Sequence, residues 1–176
     1  PRTEEASANA FRALGFLMIG GLALALAVVD LSVRCGTIEL DRLASLAPSR
    51  ALLPVLLLVL AGMTKAAQFP FAGWLLGAMV APAPASALLH SSTLVKAGVY
   101  LVIRCSPVLR GTVSGAMVGL IGALSFLAAS AAAVSQSDAK RVLAYSTIAN
   151  LGLVVLCAGV GTSPALWAAA MLIVFH

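Results

Sequence analysis

Residues 65–100 limit the possible folds most, because this stretch is apolar enough for a bilayer interior but carries basic side chains. The basic residues are Lys65, His90 and Lys96. Moving an ammonium group from water into hydrocarbon is costly, so lysines inside a membrane usually serve a function. The stretch therefore predicts an ion path. For Lys65 an alternative is that its side chain extends along an apolar surface to the membrane interface.

Prolines in the same stretch predict interruptions of the helical backbone. Pro70 lacks an N–H group and its ring clashes with the carbonyl four residues earlier, so a helix should break there. Pro82 and Pro84 predict a second stop. Interrupted backbone persists inside a membrane only where protein or water satisfies its polar groups, a role that Gln68 and Trp74 can fill. A broken helix beside basic groups is typical of an ion path.

Composition places the chain in a membrane. Hydrophobic residues make up 61% of the sequence and charged residues 10%, with a mean hydropathy of +1.07. A bilayer core of ~30 Å takes about 20 apolar residues per helix, and several such runs follow one another. We expect an all-α polytopic membrane protein with about six transmembrane helices, one of them broken. The net charge of +5 does not indicate nucleic-acid binding, because basic residues stand at the ends of apolar runs.

The apolar runs give approximate boundaries for the spans. They are residues 11–31, 51–79 with the break inside, 84–104, 111–134, 141–160 and an incomplete span from Pro164 onward. A polar loop with one short amphipathic turn is expected over residues 32–50, and a turn around Pro107 over residues 106–110. Asp138 can cap the fifth span, and Lys140 and Arg141 should reach the headgroups.

Small and polar residues predict how the later spans pack. Gly111, Gly115 and Gly119 recur every four residues, which favours close contact with a neighbouring helix. The fifth span carries a polar stripe that we interpret as interhelical hydrogen bonding rather than as a site. The stripe comprises Tyr145, Ser146, Thr147 and Asn150.

Bond-breaking catalysis is not expected within this chain, since no catalytic triad, phosphate loop or metal-ligand spacing occurs. Cys35, Cys105 and Cys157 are far apart and predict neither an iron–sulfur cluster nor a zinc site. Histidine exchanges protons near neutral pH, so His90 is a relay candidate, with a satisfied core residue as the alternative. His176 is a second, weaker candidate.

Two long runs carry a family resemblance. The first, KAAQFPFAGWLLGAMVAPAPASALLHSSTLVKAGVYLVIR, resembles the signature of the antiporter-like subunits shared by respiratory complex I, Mrp-type cation/proton antiporters and membrane-bound energy-converting hydrogenases. The second, SQSDAKRVLAYSTIANLGLVV, resembles the second signature of that family. Lys96 and residues 135–137, 148–150 and 172–176 are most similar to the large antiporter-like subunit of Ech-type nickel–iron hydrogenases.

The resemblance implies a larger fold of two inverted five-helix repeats, of which residues 1–176 would form the central segment. Lys65 would be the buried lysine of the first broken helix, and His90 the bridging histidine of the next helix. His176 would enter the link to the second half-channel. The glutamate partner of Lys65 would precede Pro1, and the second broken helix would follow His176.

From the resemblance we expect a proton- or sodium-translocating subunit of a redox-driven complex, either an energy-converting hydrogenase or a complex I-like NADH:quinone oxidoreductase. The alternatives are an Mrp-type antiporter subunit without redox coupling and a passive membrane anchor. No cofactor is expected in this chain, because partner subunits would carry iron–sulfur clusters and a nickel–iron centre or flavin. The expected partners are other membrane subunits and a peripheral redox arm. The expected location is the cell membrane, or the mitochondrial inner membrane in a eukaryote.

Overall fold

The computed structural model describes residues 4–45, 48–88 and 94–176. Within them the chain is helical and contains no β-strand. The α-helices are α1 (Glu4–Asp30), α2 (Pro48–Lys65), α3 (Gly73–Gly77), α4 (Ala83–Ala87), α5 (Leu94–Leu109), α6 (Val113–Val134), α7 (Ala139–Val160) and α8 (Ser163–Phe175). A π-helical turn at Leu31–Cys35 continues α1, and 3-10 turns lie at Leu40–Ser45 and Ala78–Val80.

Three of the described helical segments are long and apolar enough to cross a membrane. They are Glu4–Cys35, Val113–Val134 and Ala139–Val160. The other predicted spans are not counted among them. Helix α2 has 18 residues and ends at Lys65, and α8 has 13 residues. The third predicted span includes residues outside the described ranges. The all-helical membrane fold is therefore confirmed, while the number of about six spans stays a prediction.

Helix α1 begins at Glu4, earlier than the predicted start at residue 11. Glu4 and Glu5 occupy its first turn, where negative charge interacts favourably with the helix dipole. The loop after α1 contains the predicted short turn, here a 3-10 turn whose Leu43 is buried. Arg104 of α5 pairs with Asp41 of this turn and fastens the loop to the helix bundle.

The predicted turn around Pro107 is wrong, since α5 continues through Pro107 to Leu109. A proline within a helix removes one backbone hydrogen bond, and packing against neighbouring helices can offset that loss. Here the Ser106 hydroxyl donates to the Ala158 carbonyl at 2.7 Å, and Cys105, Ser106 and Leu109 are buried. This contact with α7 holds the last turn of α5 in place.

Glycines bring α6 and α7 into backbone contact, as their spacing predicts for Gly115 and Gly119. A Cβ atom at Gly115 would lie 2.9 Å from the Gly159 carbonyl oxygen, and one at Gly122 would lie 2.7 Å from the Gly152 carbonyl oxygen. Gly111 is not part of this contact. It occupies the turn before α6 with a φ of +71°, a conformation that favours glycine.

Short polar turns set the ends of α7. The Asp138 carboxylate accepts a hydrogen bond from the Lys140 backbone N–H at 3.1 Å, which is the predicted N-cap. The helix ends at Val160, and Gly161 caps it with a φ of +67°. Pro164 then lies in the first turn of α8, as predicted.

Candidate functional site

The chain leaves helical geometry directly after Lys65, the last residue of α2. The break precedes Pro70 because Ala67 adopts a φ of +52°, in the left-handed region that non-glycine residues rarely enter. Such backbone persists only where the surroundings hold it, and it is frequent at functional sites. The following Phe69–Pro70 peptide bond is cis, and helical structure resumes at Gly73.

Side chains supplement the irregular backbone hydrogen bonds at the break, such as that from the Gln68 N–H to the Met63 carbonyl at 3.0 Å. The Trp74 indole N–H donates to the Thr64 carbonyl at 2.9 Å, and the Gln68 amide donates to the Ala66 carbonyl at 3.1 Å. The Phe69 backbone N–H donates to Ser125 Oγ of α6 at 3.0 Å. Two of these partners come from the broken segment and one from a distant helix. The irregular backbone, with Ala66, Ala67 and Gln68 buried, is thereby accommodated inside the protein.

Gln68 also connects the break to α7. Its amide nitrogen lies 3.4 Å from the Ile148 carbonyl oxygen, and the side chain is fully buried. Its Oε1 atom has no hydrogen-bond partner among the described residues. Buried acceptors are usually paired with protein or with ordered water, so this oxygen offers a position for a polar ligand such as water.

Lys65 projects from the break beside a cavity of about 170 Å³ between α1, α2 and α5. Its side chain is exposed and forms no ion pair with any residue that the structure describes. The cavity walls are largely made of small residues, including Gly20, Gly21 and Gly98. In this segment Lys65 is thus an exposed residue that lines the cavity, and not the buried lysine that the resemblance implies.

Lys96, Asn150 and His176 come together on the other side of α5. His176 Nδ1 lies 3.3 Å from Asn150 Nδ2, and Lys96 is close enough to interact electrostatically with His176. Sequence reasoning predicted interhelical hydrogen bonding for the polar stripe but did not identify Asn150 as a site residue. Within α7 the Asn150 amide donates to the Ser146 carbonyl at 3.0 Å and the Thr147 hydroxyl to the Leu143 carbonyl at 2.9 Å, so the contact with His176 is the interhelical one among these. His90 lies outside the described residues.

The second predicted stop occurs around Pro82, whose extended backbone precedes α4, and Pro84 lies in the first turn of that helix. The Ala81 carbonyl at this stop accepts a hydrogen bond from Lys140 Nζ at 3.0 Å. Lys140 lies in the first turn of α7, so the expectation that it reaches the headgroups stays a prediction. Its ammonium group satisfies a carbonyl that the interrupted helix leaves free, a contact 59 residues apart in sequence.

A polar cavity of about 350 Å³ lies where α1 begins, near the end of the broken segment. Glu5, Arg12, Asp138 and Arg141 line it, so its formal charges cancel. Among the described residues, no group of three or more histidine, cysteine, aspartate or glutamate side chains is arranged to hold a metal ion.

With the fold and the break in view, comparison with known proteins identifies the family. The family model described as "NADH:quinone oxidoreductase/Mrp antiporter, TM" matches residues 1–176. The chain belongs to this family. Membership confirms the resemblance expected from the two sequence runs.

Curated relatives within the NADH:quinone oxidoreductase/Mrp antiporter family are much longer than this chain. A probable K⁺/H⁺ antiporter subunit of Rhizobium meliloti is 45% identical over 165 residues, which is 89% of this chain and 16% of the relative. A Na⁺/H⁺ antiporter subunit of Alkalihalophilus pseudofirmus is 43% identical over 152 residues, which is 85% of this chain and 18% of the relative. The chain therefore corresponds to less than a fifth of either protein.

Solved structures show the same fold. The Mrp complex from Dietzia sp. matches with a TM-score of 0.90 and 37% identity, covering 98% of this chain and 20% of that chain. The membrane-bound sulfane sulfur reductase, an archaeal respiratory membrane complex, matches with a TM-score of 0.86 and 24% identity over 98% of this chain and 37% of that chain. At that identity the second match carries the fold alone.

Proposed function

We propose that the chain is part of an ion-translocating component of a cation/proton antiporter and that it exchanges a monovalent cation for protons across the cell membrane. The observation that carries this proposal is the identity of 45% and 43% to antiporter subunits along most of the chain. The relatives named above favour the antiporter alternative over the redox-driven complex first expected from the sequence. We place the protein among other membrane subunits, because the solved neighbours are membrane complexes.

The geometry of the break supports a path for protons. Lys65 presents an ammonium group at an open cavity, and the unpaired Oε1 of Gln68 offers an acceptor in the same irregular segment. Ammonium groups can donate protons, and carbonyl oxygens can hold the water that accepts them. In this proposal Lys65 takes up and releases the proton at the break.

Lys96 and His176 extend the proposed path beyond the break. An imidazole can accept a proton on one nitrogen while it donates from the other, which suits a relay. The Asn150 amide at 3.3 Å orients the His176 ring, and Lys96 places a second cation nearby. His90 belongs to the proposed relay on the strength of the resemblance.

The test of this function is a transport measurement on the intact antiporter complex that carries this segment. Everted membrane vesicles are energised by ATP hydrolysis with respiration blocked, and the collapse of the pH gradient is followed with acridine orange. We expect Na⁺ or K⁺ to collapse the gradient without any electron donor. Exchange that appears only when an electron donor is supplied would restore the redox-driven interpretation.

Two variants of Lys65 separate proton exchange from fixed charge. K65A removes the group, while K65R keeps the charge on a guanidinium that does not release its proton in proteins. We expect the initial exchange rate to fall at least about tenfold in both variants, since each removes an essential proton carrier. The control R50Q removes a cation outside the site and should keep the wild-type rate. A K65R complex that assembles normally and retains that rate would remove Lys65 from the proton path.

A further inference from the structure

A groove between the end of α5 and the start of α8 is separate from the ion path. Its volume is about 520 Å³, and its lining includes Arg110, Ser163, Leu166, Trp167 and Ala170. Arg110 and Ser163 form a polar end, whereas the side chains of the next two turns of α8 form an apolar wall. We refer to this feature as the α5–α8 groove.

The polar end of the groove lies at a membrane face. Helices α6 and α7 are both long enough to span, and α6 begins where α7 ends. The turns at Gly111 and Gly161 therefore lie on one face. Arg110 belongs to this layer, because a Cβ atom at Gly161 would lie 3.0 Å from the Arg110 Cβ atom. Its guanidinium group is exposed.

Charge at this face favours an anion in the groove. The three carboxylates in and after the end of α1 are already paired with arginines, as Asp30 with Arg34, Glu39 with Arg42 and Asp41 with Arg104. Arg110 forms no ion pair with any residue of the described ranges, and it is the charged residue of the groove lining. The cavity at the opposite face differs, because there two arginines are balanced by two carboxylates.

The apolar part of the groove suits an acyl chain. Trp167 is 66% exposed although it follows the first turn of an apolar helix. Exposed tryptophans concentrate where a membrane meets water, because the ring is apolar and its N–H is polar. Leu166 and Ala170 continue the same wall toward the membrane interior. A ligand that fits this groove has an anionic head and a hydrocarbon tail.

We propose that the α5–α8 groove binds an anionic phospholipid. The headgroup phosphate pairs with the Arg110 guanidinium, which can offer two parallel N–H donors to phosphate oxygens. One acyl chain lies against Trp167 and Ala170. This site lies outside the ion path and holds whether or not the antiporter function is correct.

The test uses quenching of Trp167 by brominated lipid. The intact complex is placed in phosphatidylcholine vesicles that contain brominated phosphatidylglycerol or, at equal mole fraction, brominated phosphatidylcholine. Subtracting the signal of W167F isolates the fluorescence of Trp167. We expect brominated phosphatidylglycerol to quench at a mole fraction about fivefold lower than brominated phosphatidylcholine, the preference that one arginine near an anionic surface gives.

Charge variants decide whether Arg110 is responsible. R110Q should abolish the preference, so that both lipids quench alike, whereas R50Q, which removes another exposed arginine outside the groove, should retain it. Equal quenching by both lipids in the unmodified complex, or an unchanged preference in R110Q, would overturn the proposal. So would the absence of quenching by either lipid, which would show that protein covers the groove. Relief of quenching by added inorganic phosphate would indicate a bare anion site and would also contradict it.

Discussion

The α6–α7 pair and the break after α2 differ in how they satisfy their backbone hydrogen-bonding groups. In the pair, each backbone is continuous and its hydrogen bonds stay within one helix, so the two helices need only small residues to meet. In the break, irregular backbone hydrogen bonds such as that from the Gln68 N–H to the Met63 carbonyl are supplemented by side-chain partners for the Ala66 carbonyl and the Phe69 N–H. One of these partners, Ser125, belongs to the pair.

This difference indicates that the α6–α7 pair supports the break. Ser125 of α6 accepts from the Phe69 N–H, and the Ile148 carbonyl of α7 lies 3.4 Å from the Gln68 amide. Close packing of α6 on α7 holds both groups in position for the break. Damage to the pair should therefore harm the whole bundle, whereas damage to the break should harm it less.

The largest expected effect comes from separating the pair with G122L. A Cβ atom at Gly122 would already lie 2.5 Å from the Leu156 amide nitrogen, so a leucine forces the helices apart. We expect a loss of about 3 kcal/mol or more in stability, at the upper end for overpacked cores. The measurement is the temperature at which the detergent-solubilised complex loses its monodisperse peak. The control G15L places leucine where nothing lies within 4 Å; if both variants melt alike, the packing argument fails.

A smaller effect is expected from W74F within the break. The substitution removes the indole N–H donated to the Thr64 carbonyl, which keeps the Ala67 N–H as a donor at 3.2 Å, and it leaves a cavity where the larger buried ring lay. The lost hydrogen bond and the cavity together should cost about 2 kcal/mol. Transport should also decrease, because the backbone beside Lys65 loses its support. The comparison is with W167F, because the Trp167 ring is exposed and forms no such bond with the residues that the structure describes. A W74F complex that matches W167F in both melting and transport would show that the hydrogen bond from Trp74 does not stabilise the break.

The smallest effect is expected where the two regions meet, in S125A. The hydroxyl of Ser125 accepts from a part-buried N–H, so its removal should cost about 1 kcal/mol. S130A, on the same helix, serves as the control and should melt like the unmodified complex. If the two serine variants are indistinguishable in thermal melting, the pair does not support the break through this bond.

Sequence reasoning predicted the positions of the interruptions better than their internal structure. A proline reports that a helix must stop nearby, and Pro70 and Pro82 did so. The helix nevertheless ends at Lys65, because Ala67, three residues before the proline, has a left-handed φ. An alanine in the sequence does not predict this conformation. Pro107 shows the converse, since its helix continues where contact with Ala158 holds the last turn.

The hydrogen-bond partners of the break could not be predicted from the sequence for a related reason. Local sequence patterns identify groups that need a hydrogen bond, such as the backbone near Gln68, but they do not identify the hydrogen-bond partner. Ser125 lies 56 residues from Phe69 in sequence, and Lys140 lies 59 residues from Ala81. Such pairings depend on how helices pack. That Lys65 and His176 belong to one path is therefore a prediction of the family resemblance alone.

Helix α7 contacts the interrupted region at two places. The Ile148 carbonyl meets Gln68 on one side of α3, and the Lys140 ammonium group holds Ala81 on the other. These two attachments are about 12 Å apart along the axis of α7. A rotation of α7 about its axis combined with a shift along it must consequently displace Gln68 and Ala81, the two ends of the interrupted region, together. Tethering α7 to a fixed neighbour would immobilise both ends at once.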